Sequence, residues 1–300
     1  MPAGTKAITR RIKSVTNTKK ITKAMEMVSA AKMRRATDSV LSTRPYSNLA
    51  WQIIGNIKGG KAEIQHPLLV DGTGNKALVI LITSDKGLCG SLNSQMFREI
   101  RQFLTVGSLA PYSVDFIIIG KKGEAFARRE KLSVTAGFED LTNKPKFTDV
   151  KPIAKIAMDR FIDNTYSKVF VAYTDYISTL VQKARVRQLL PIIRDEELGS
   201  VENNNQSAII NQQSAMEYLF EPKKNELLEM LLPKIVETQI YQAILESVAS
   251  EQSARMVAMK NATDAANEMV DDLTLTFNKL RQAGITREIS EISAGKAALE

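Results

Sequence analysis

Residues 249–280 read ASEQSARMVAMKNATDAANEMVDDLTLTFNKL. Within them Met256, Met259, Thr263, Ala266, Val270, Leu273, Phe277 and Leu280 recur at alternating steps of three and four, the repeat with which one helix faces another along a narrow seam. The helical period extends outward from this stretch, and from Lys223 to Ile292 only Pro233 and Gly284 interrupt it. A periodic run of that length without caps predicts a coiled-coil helix rather than a helix enclosed in a globular core.

A partner helix is legible at the other end of the chain. From Thr5 to Arg44 there is neither Pro nor Gly, and Ile8, Ile12, Val15, Ile21, Met25 and Val28 mark a helical stripe. Thr18, Thr22, Ser29, Ala30 and Ala31 flank it, and so narrow an apolar face suits a single close helical partner. Pro45 is expected to bend or break this helix before a continuation over Ser47–Lys58, and Gly59-Gly60 to end it.

Between the two helices the period changes. Lys76–Ser84 (KALVILITS) reads as a buried strand, Leu92–Leu104 as a helix, Val114–Gly120 (VDFIIIG) as a strand and Glu124–Glu130 as a short helix. A strand near Leu132–Ala136, a helix over Val150–Asn164, the strand Lys168–Tyr173 (KVFVAY) and an edge strand within Thr179–Leu189 continue the alternation. The fold class is therefore α/β: a Rossmann-like, mainly parallel domain with helices on both faces, joined to a long antiparallel coiled coil of N- and C-terminal helices. The expected divisions are 1–60 (first coiled-coil helix), 75–195 (α/β domain), 196–222 (linker and foot, rich in Asn, Gln and Ser) and 223–300 (second coiled-coil helix).

Chain connectivity dictates how the helices pair. One enters the domain near residue 58 and the other leaves it near residue 226, so they run antiparallel, and paired positions should sum to about 284. On this register Met25 faces the region of Met259.

Composition narrows the functions available. The 300 residues include 41 Lys plus Arg against 33 Asp plus Glu, one Cys and one His. A single Cys89 permits no internal disulfide, and a single His66 starves both a His-ligated metal site and a Ser-His-Asp triad. No metal and no cofactor are expected, and no apolar run approaches the length of a membrane span. The positive charge is concentrated: Lys6, Arg10, Arg11, Lys13, Lys19, Lys20, Lys23, Lys32, Arg34 and Arg35 stand against Glu26 alone. Such a block reads either as a solvated helix face or as a surface for acidic partners or nucleic acid. The absence of aromatics before Tyr46 weighs against single-strand binding by base stacking.

The segment Ser84-Asp85-Lys86-Gly87-Leu88-Cys89-Gly90-Ser91-Leu92 follows the first strand, where a dinucleotide site places its glycines. Neither G-x-G-x-x-G nor G-x-x-x-x-G-K-[ST] is present, so a tight structural turn is expected, with Asp85 as a helix cap and Cys89 as a small buried apolar residue.

Six segments, in order along the chain, carry a family resemblance: Ile21–Ser29 (ITKAMEMVS), Thr83–Asn93 (TSDKGLCGSLN), Gln188–Pro191 (QLLP), Tyr218–Pro222 (YLFEP), Ala249–Thr263 (ASEQSARMVAMKNAT) and Arg281–Ile292 (RQAGITREISEI). Together they resemble the gamma subunit of F-type ATP synthases, of the bacterial type without the thiol-regulatory insert of chloroplast members. The resemblance implies a non-catalytic rotary shaft. Its coiled coil would stand inside a hexameric ring of alpha and beta subunits, and its base would sit on the membrane c ring beside epsilon, at the cytoplasmic face of the inner membrane. Met25, Arg255, Gln282, Thr286 and Glu288 match positions that contact and couple to the beta subunit. Tyr218, Phe220 and Glu221 match the foot on the c ring, with Phe220 where the family often has tyrosine. Two rival readings are a basic coiled-coil protein that binds nucleic acid, which would account for the N-terminal charge, and a dinucleotide-dependent enzyme, which would account for the middle.

Overall fold

The structure, a computed structural model, describes residues 3–58, 66–70, 72–105, 112–143, 145–192 and 224–297. In order these form α1 (Ala3–Lys58), a 3-10 turn (Pro67–Leu69), β1 (Lys76–Ile82), α2 (Leu92–Thr105), β2 (Ser113–Ile119), α3 (Lys121–Glu130), β3 (Ser133–Phe138), α4 (Phe147–Ile162), β4 (Lys168–Tyr176), β5 (Gln182–Leu190) and α5 (Lys224–Ala297). Two compact units result, one of residues 1–31 with 255–300 and one of residues 32–254. The Asn/Gln/Ser-rich linker and the predicted foot, Tyr218, Phe220 and Glu221, lie outside the described residues.

The larger unit is built on a five-stranded sheet in the order β3-β2-β1-β4-β5. β1 pairs parallel to both β2 and β4, β2 pairs parallel to β3, and only β5 at the edge is antiparallel. β1 sits in the middle, and residues Ala77–Ile82 are all buried. That is why its sequence is continuously apolar instead of alternating. Its side chains divide between two cores. Leu78, Ile80 and Ile82 join Ile117, Ile119, Val169 and Val171 beneath α4 and the first half of α5, where Ile153, Ala157, Leu232, Ile235, Val236 and Ile240 are buried. Ala77, Val79 and Leu81 join Phe116, Ile118 and Phe170 beneath α2 and α3, through Met96, Ile100, Phe126 and Ala127.

Two helices cross prolines expected to interrupt them. α1 continues through Pro45 as one 56-residue helix, so the predicted break is not made. A helix-interior proline costs about 3 kcal/mol, but the preceding turns are anchored: Ala36 and Val40 are buried, and the Thr43 hydroxyl donates to Gln242 Oε1 of α5 at 2.9 Å. The Pro45 side chain itself is exposed. Likewise α5 runs through Pro233, flanked by the buried Leu232 and Ile235.

Where β2 turns into α3 the backbone needs a residue without a side chain. Gly120 has φ of +96°, and a Cβ there would lie 2.2 Å from the carbonyl oxygen of Thr83. Thr83 itself ties the turn, its hydroxyl donating to the Ile119 carbonyl at 3.0 Å and accepting from the Gly123 amide at 2.8 Å. Gly120→Ala is expected to destabilise the α/β unit by about 3 kcal/mol or more, combining left-handed backbone strain with a clash against main chain. A thermal melt of the chain should show that unit unfolding roughly 6–12 °C earlier.

His66 caps the 3-10 turn, its Nδ1 accepting from the Leu68 amide at 3.1 Å, while the Leu68 carbonyl accepts from Ile192 at 3.0 Å. Burial pushes the His66 pKa below its usual 6.5, against an opposing pull from Glu229. The folded state thus favours neutral histidine, and this contribution is complete above pH 6.5 and lost as pH falls through the lowered value. In His66→Asn the amide oxygen caps without titrating. Denaturant midpoints of the two chains are expected to converge or reverse as pH is lowered from 7.5 to 5, because the wild type alone loses this cap.

Candidate coupling surface

In the smaller unit α1 and α5 meet through short polar side chains. The hydroxyls of Thr22 and Thr263 lie 2.8 Å apart, and each also donates back along its own helix, to Lys19 O at 3.0 Å and to Met259 O at 2.8 Å. Thr5, Thr22 and Ser29 are the buried positions of α1 here, and Met259, Thr263 and Ala266 are buried on α5. The positions of the Thr22/Thr263 pair sum to 285, as do those of the Thr43/Gln242 pair within the larger unit. Numbers that rise along one helix while falling along the other show the antiparallel pairing, one residue from the expected sum of 284.

The apolar stripe expected on α1 follows the seam only in part: Ile8, Ile12, Val15 and Met25 are half-buried, but two of its residues turn outward. Ile21 is 60% and Val28 58% exposed, while Thr22 and Ser29, one position further on, face inward. Small residues at the contact let two backbones approach closely, and the larger apolar side chains are displaced outward. On α5 the heptad is followed more faithfully. Met259, Thr263 and Ala266 are covered, Val270, Leu273 and Phe277 are half-buried, and Leu280 is exposed.

The predicted coupling residues fall in three surroundings. Met25 is half-buried beside the seam, and the pairing sum places it opposite position 260. Gln282, Thr286 and Glu288 are exposed on the far part of α5, where the same sum leaves Thr286 and Glu288 with no described α1 residue opposite. Arg255 is only 7% exposed and is engaged within the chain. Around these residues Ile21, Met27, Val28, Met269, Leu275, Ile285, Ile289 and Ile292 stand exposed. The basic residues Lys6, Arg10, Arg11, Lys13, Lys20 and Lys23 are exposed on α1, with Lys23 paired to Glu26 at 3.1 Å. A two-helix unit with this much apolar and cationic surface is made to be surrounded.

The strand-end turn at Ser84–Leu92 is closed by its own hydrogen bonds. Asn93 donates to Ser84 Oγ at 2.7 Å and to Cys89 Sγ at 3.3 Å, and Ser84 Oγ donates to Lys86 O at 2.8 Å. Asp85 is a cap, but of α3 rather than of the helix that follows it: Oδ1 accepts from the Lys121 amide at 3.2 Å and Oδ2 from the Thr142 hydroxyl at 2.8 Å. Nearby, Lys121 donates to Glu139 at 3.1 Å, which holds its pKa above the ordinary lysine value. Among the described residues no helix is long and apolar enough to cross a membrane.

A protein-family model described as ATP synthase matches residues 4–299. The ATP synthase gamma chain of Coxiella burnetii (strain Dugway 5J108-111) is 42% identical over 295 residues, 98% of each chain. That of Herpetosiphon aurantiacus is 43% identical over 307 aligned residues, 99% of each. The chain belongs to the ATP synthase gamma-chain family. Family membership over the whole length sets aside the nucleic-acid reading. Solved structures agree on the fold: the Euglena gracilis mitochondrial ATP synthase (OSCP/F1/c-ring, rotational state 3) aligns with TM-score 0.67 at 20% identity, covering 99% of this chain and 94% of that one. The Tetrahymena thermophila mitochondrial ATP synthase (central stalk/c-ring) aligns with TM-score 0.56 at 24% identity, covering 81% of this chain and 99% of that one.

The register of the helix pair is directly testable. In a Cys89→Ala background, Thr22→Cys with Thr263→Cys should form a disulfide under mild oxidation, because the hydroxyls they replace are in contact. Met25→Cys with Leu280→Cys should not, since position 280 lies about 30 Å along the axis from position 260. Gel mobility without reductant after proteolysis between the helices reads the outcome, and linkage of only the distant pair would overturn the antiparallel register.

Proposed function

We propose that this chain is the central rotary shaft of a proton-translocating F-type ATP synthase, standing in the hexameric alpha/beta ring and resting, with epsilon, on the c ring. It carries no catalytic groups of its own; the complex makes or hydrolyses ATP. Its place is the cytoplasmic face of the inner membrane, as a peripheral component held there by the complex. The observation that supports this most strongly is the combination of full-length gamma-chain relatives with a helix pair whose seam is narrow and whose outer surface stays apolar and cationic.

The mechanism follows from contact energetics. A shaft that touches each beta subunit differently biases each one toward a different conformation, and only the difference in contact free energy between rotational states acts. Coupling of this kind is reciprocal, so hydrolysis drives the shaft in the opposite sense. We assign Met25, Gln282, Thr286 and Glu288 to contacts with a loop of beta. Arg255, covered by its own chain, supports that surface as a positioning residue. Tyr218, Phe220 and Glu221 are assigned to the foot on the c ring.

Met25→Lys tests the assignment. It places a cation on a half-buried position beside the seam and offers new contacts to carboxylates of the surrounding ring. Because an extra contact made in one rotational state raises a barrier to leaving it, the complex should assemble and hydrolyse ATP while pumping fewer protons per ATP. Parallel measurement of hydrolysis and vesicle acidification decides it, and an unchanged ratio would remove Met25 from the coupling surface.

A further inference from the structure

Within the larger unit, the manner in which α5 is held changes along its length. From Leu228 to Ala249 its buried residues, Leu232, Ile235, Val236, Ile240, Ile244 and Val248 among them, sit in the apolar core beneath the sheet. From Ala243 to Ser253 every residue is buried, including polar ones that an amphipathic helix would leave in solvent: Glu246, Ser247, Ser250, Glu251, Gln252 and Ser253. The helix is enclosed on all sides just before position 254, where this unit ends.

Three of those polar residues bond to one structure, the β4–β5 hairpin. Ser247 Oγ accepts from the Thr174 amide at 3.2 Å. Ser250 Oγ donates to the Thr174 carbonyl at 3.1 Å, and Ser253 Oγ donates to the Thr179 carbonyl at 2.6 Å. Ser250 and Ser253 are fully buried. The hairpin end is itself braced: Ser178 N donates to Val181 O at 3.0 Å, and Val181 N donates to both Ser178 O and Ser178 Oγ, at 3.3 and 3.1 Å. Gln182 Nε2 donates to the Ser178 and Thr179 carbonyls at 3.2 and 3.0 Å.

The spacing matters mechanically. Serines three apart step about 60° around a helix, so the three bonds cover about 120° of its circumference and about 9 Å of its length. Apolar contact is non-directional, so the core holds the helix through the interdigitation of its side chains and sets no single hydrogen-bonded orientation. Hydrogen bonds have fixed distance and angle, and rotation of the helix takes the serine partners from the amide and carbonyl of buried Thr174 and one of its two donors from the Thr179 carbonyl, Gln182 Nε2 remaining. Three such bonds distributed in angle and in height oppose both rotation and sliding.

We propose that Ser247, Ser250 and Ser253, gripped by the β4–β5 hairpin, form the joint that locks α5 to the α/β domain against rotation and sliding, so that torque passes between domain and helix without slip. The inference rests on the rotary reading given above and adds to it the place where load is transferred. The serines are positioning residues and touch no substrate.

The test uses the assembled membrane complex carrying Ser250→Ala with Ser253→Ala. Each hydrogen bond lost raises the population of a released joint roughly fivefold. ATP hydrolysis should stay near the wild-type rate. The steady proton gradient reached at saturating ATP should fall below the wild-type value, with the deficit growing as the opposing gradient rises, since slip is driven by load. A merely structural defect would instead lower assembly and hydrolysis together and leave the protons pumped per ATP unchanged in the complexes that remain; that result overturns the joint. Should the double variant fail to assemble, Ser253→Ala alone is read by the same assay, and a wild-type gradient there overturns it equally. A wild-type chain that supports no ATP-driven pumping at all would sink the rotary reading instead, which keeps the two failures apart.

Discussion

One continuous helix of 74 residues, α5, has to satisfy two surroundings. In the larger unit it is a core element, buried against a parallel sheet; in the smaller it is half of a two-helix pair with most of its circumference uncovered. A helix that is apolar all round belongs in a core, and one with a narrow seam belongs in a coiled coil. α5 changes from the first kind to the second near residue 254, and its sequence changes with it, from LLPKIVETQIYQAILESVAS to the heptad beginning at Met256. The backbone is helical through that change.

The close seam of the helix pair follows from the same demand. Large apolar residues in the contact would separate the helices and consume the side chains that face outward. With Thr22 bonded to Thr263 and Ser29 and Ala266 covered, the pair is held by small groups at short range. Ile21, Val28, Ile285, Ile289 and Ile292 remain on the outside. Stability of the pair and adhesiveness of its surface are thereby assigned to different residues on alternating faces.

Much of this was legible in the sequence. The strand-helix alternation from Lys76 to Leu190 was visible because parallel strands buried on both faces must be continuously apolar, and the C-terminal heptad because its period is sustained for so long. The antiparallel register followed from connectivity alone and differs from the observed sum by one. On α1 the apolar stripe marks the seam only in part, because at Ile21 and Val28 the hydroxyl residue next in sequence, Thr22 or Ser29, does the packing and the larger apolar side chain is exposed. Pro45, expected to bend or break α1, does not end it, because the turns before it are held by tertiary anchors at Ala36, Val40 and Thr43. The serine joint had a signal in the three-residue spacing of Ser247, Ser250 and Ser253, but nothing in one sequence says that a hairpin more than sixty positions upstream supplies their partners.

The exposed residues also set a scale for coupling. Moving a site from one conformation to another, from 1:99 to 99:1, takes about 5.5 kcal/mol of differential contact energy. Full burial of a Val, Leu, Ile or Met side chain is worth about 1.5–3 kcal/mol, and the apolar residues exposed on the smaller unit are already partly covered, so each has about half that to give. On the rotary reading proposed above, roughly four to seven of them exchange contact for solvent between rotational states, a large share of those present. Contacts shared equally among all states contribute nothing, however strong. The surface has to be apolar enough for a few residues to count and uneven enough around the axis that they never all count at once. The outer faces supply that unevenness by mixing the two along their length, with Ile21, Met27 and Val28 among the lysines and arginines of α1 and Ile285, Ile289 and Ile292 beside Arg281 and Arg287 on α5.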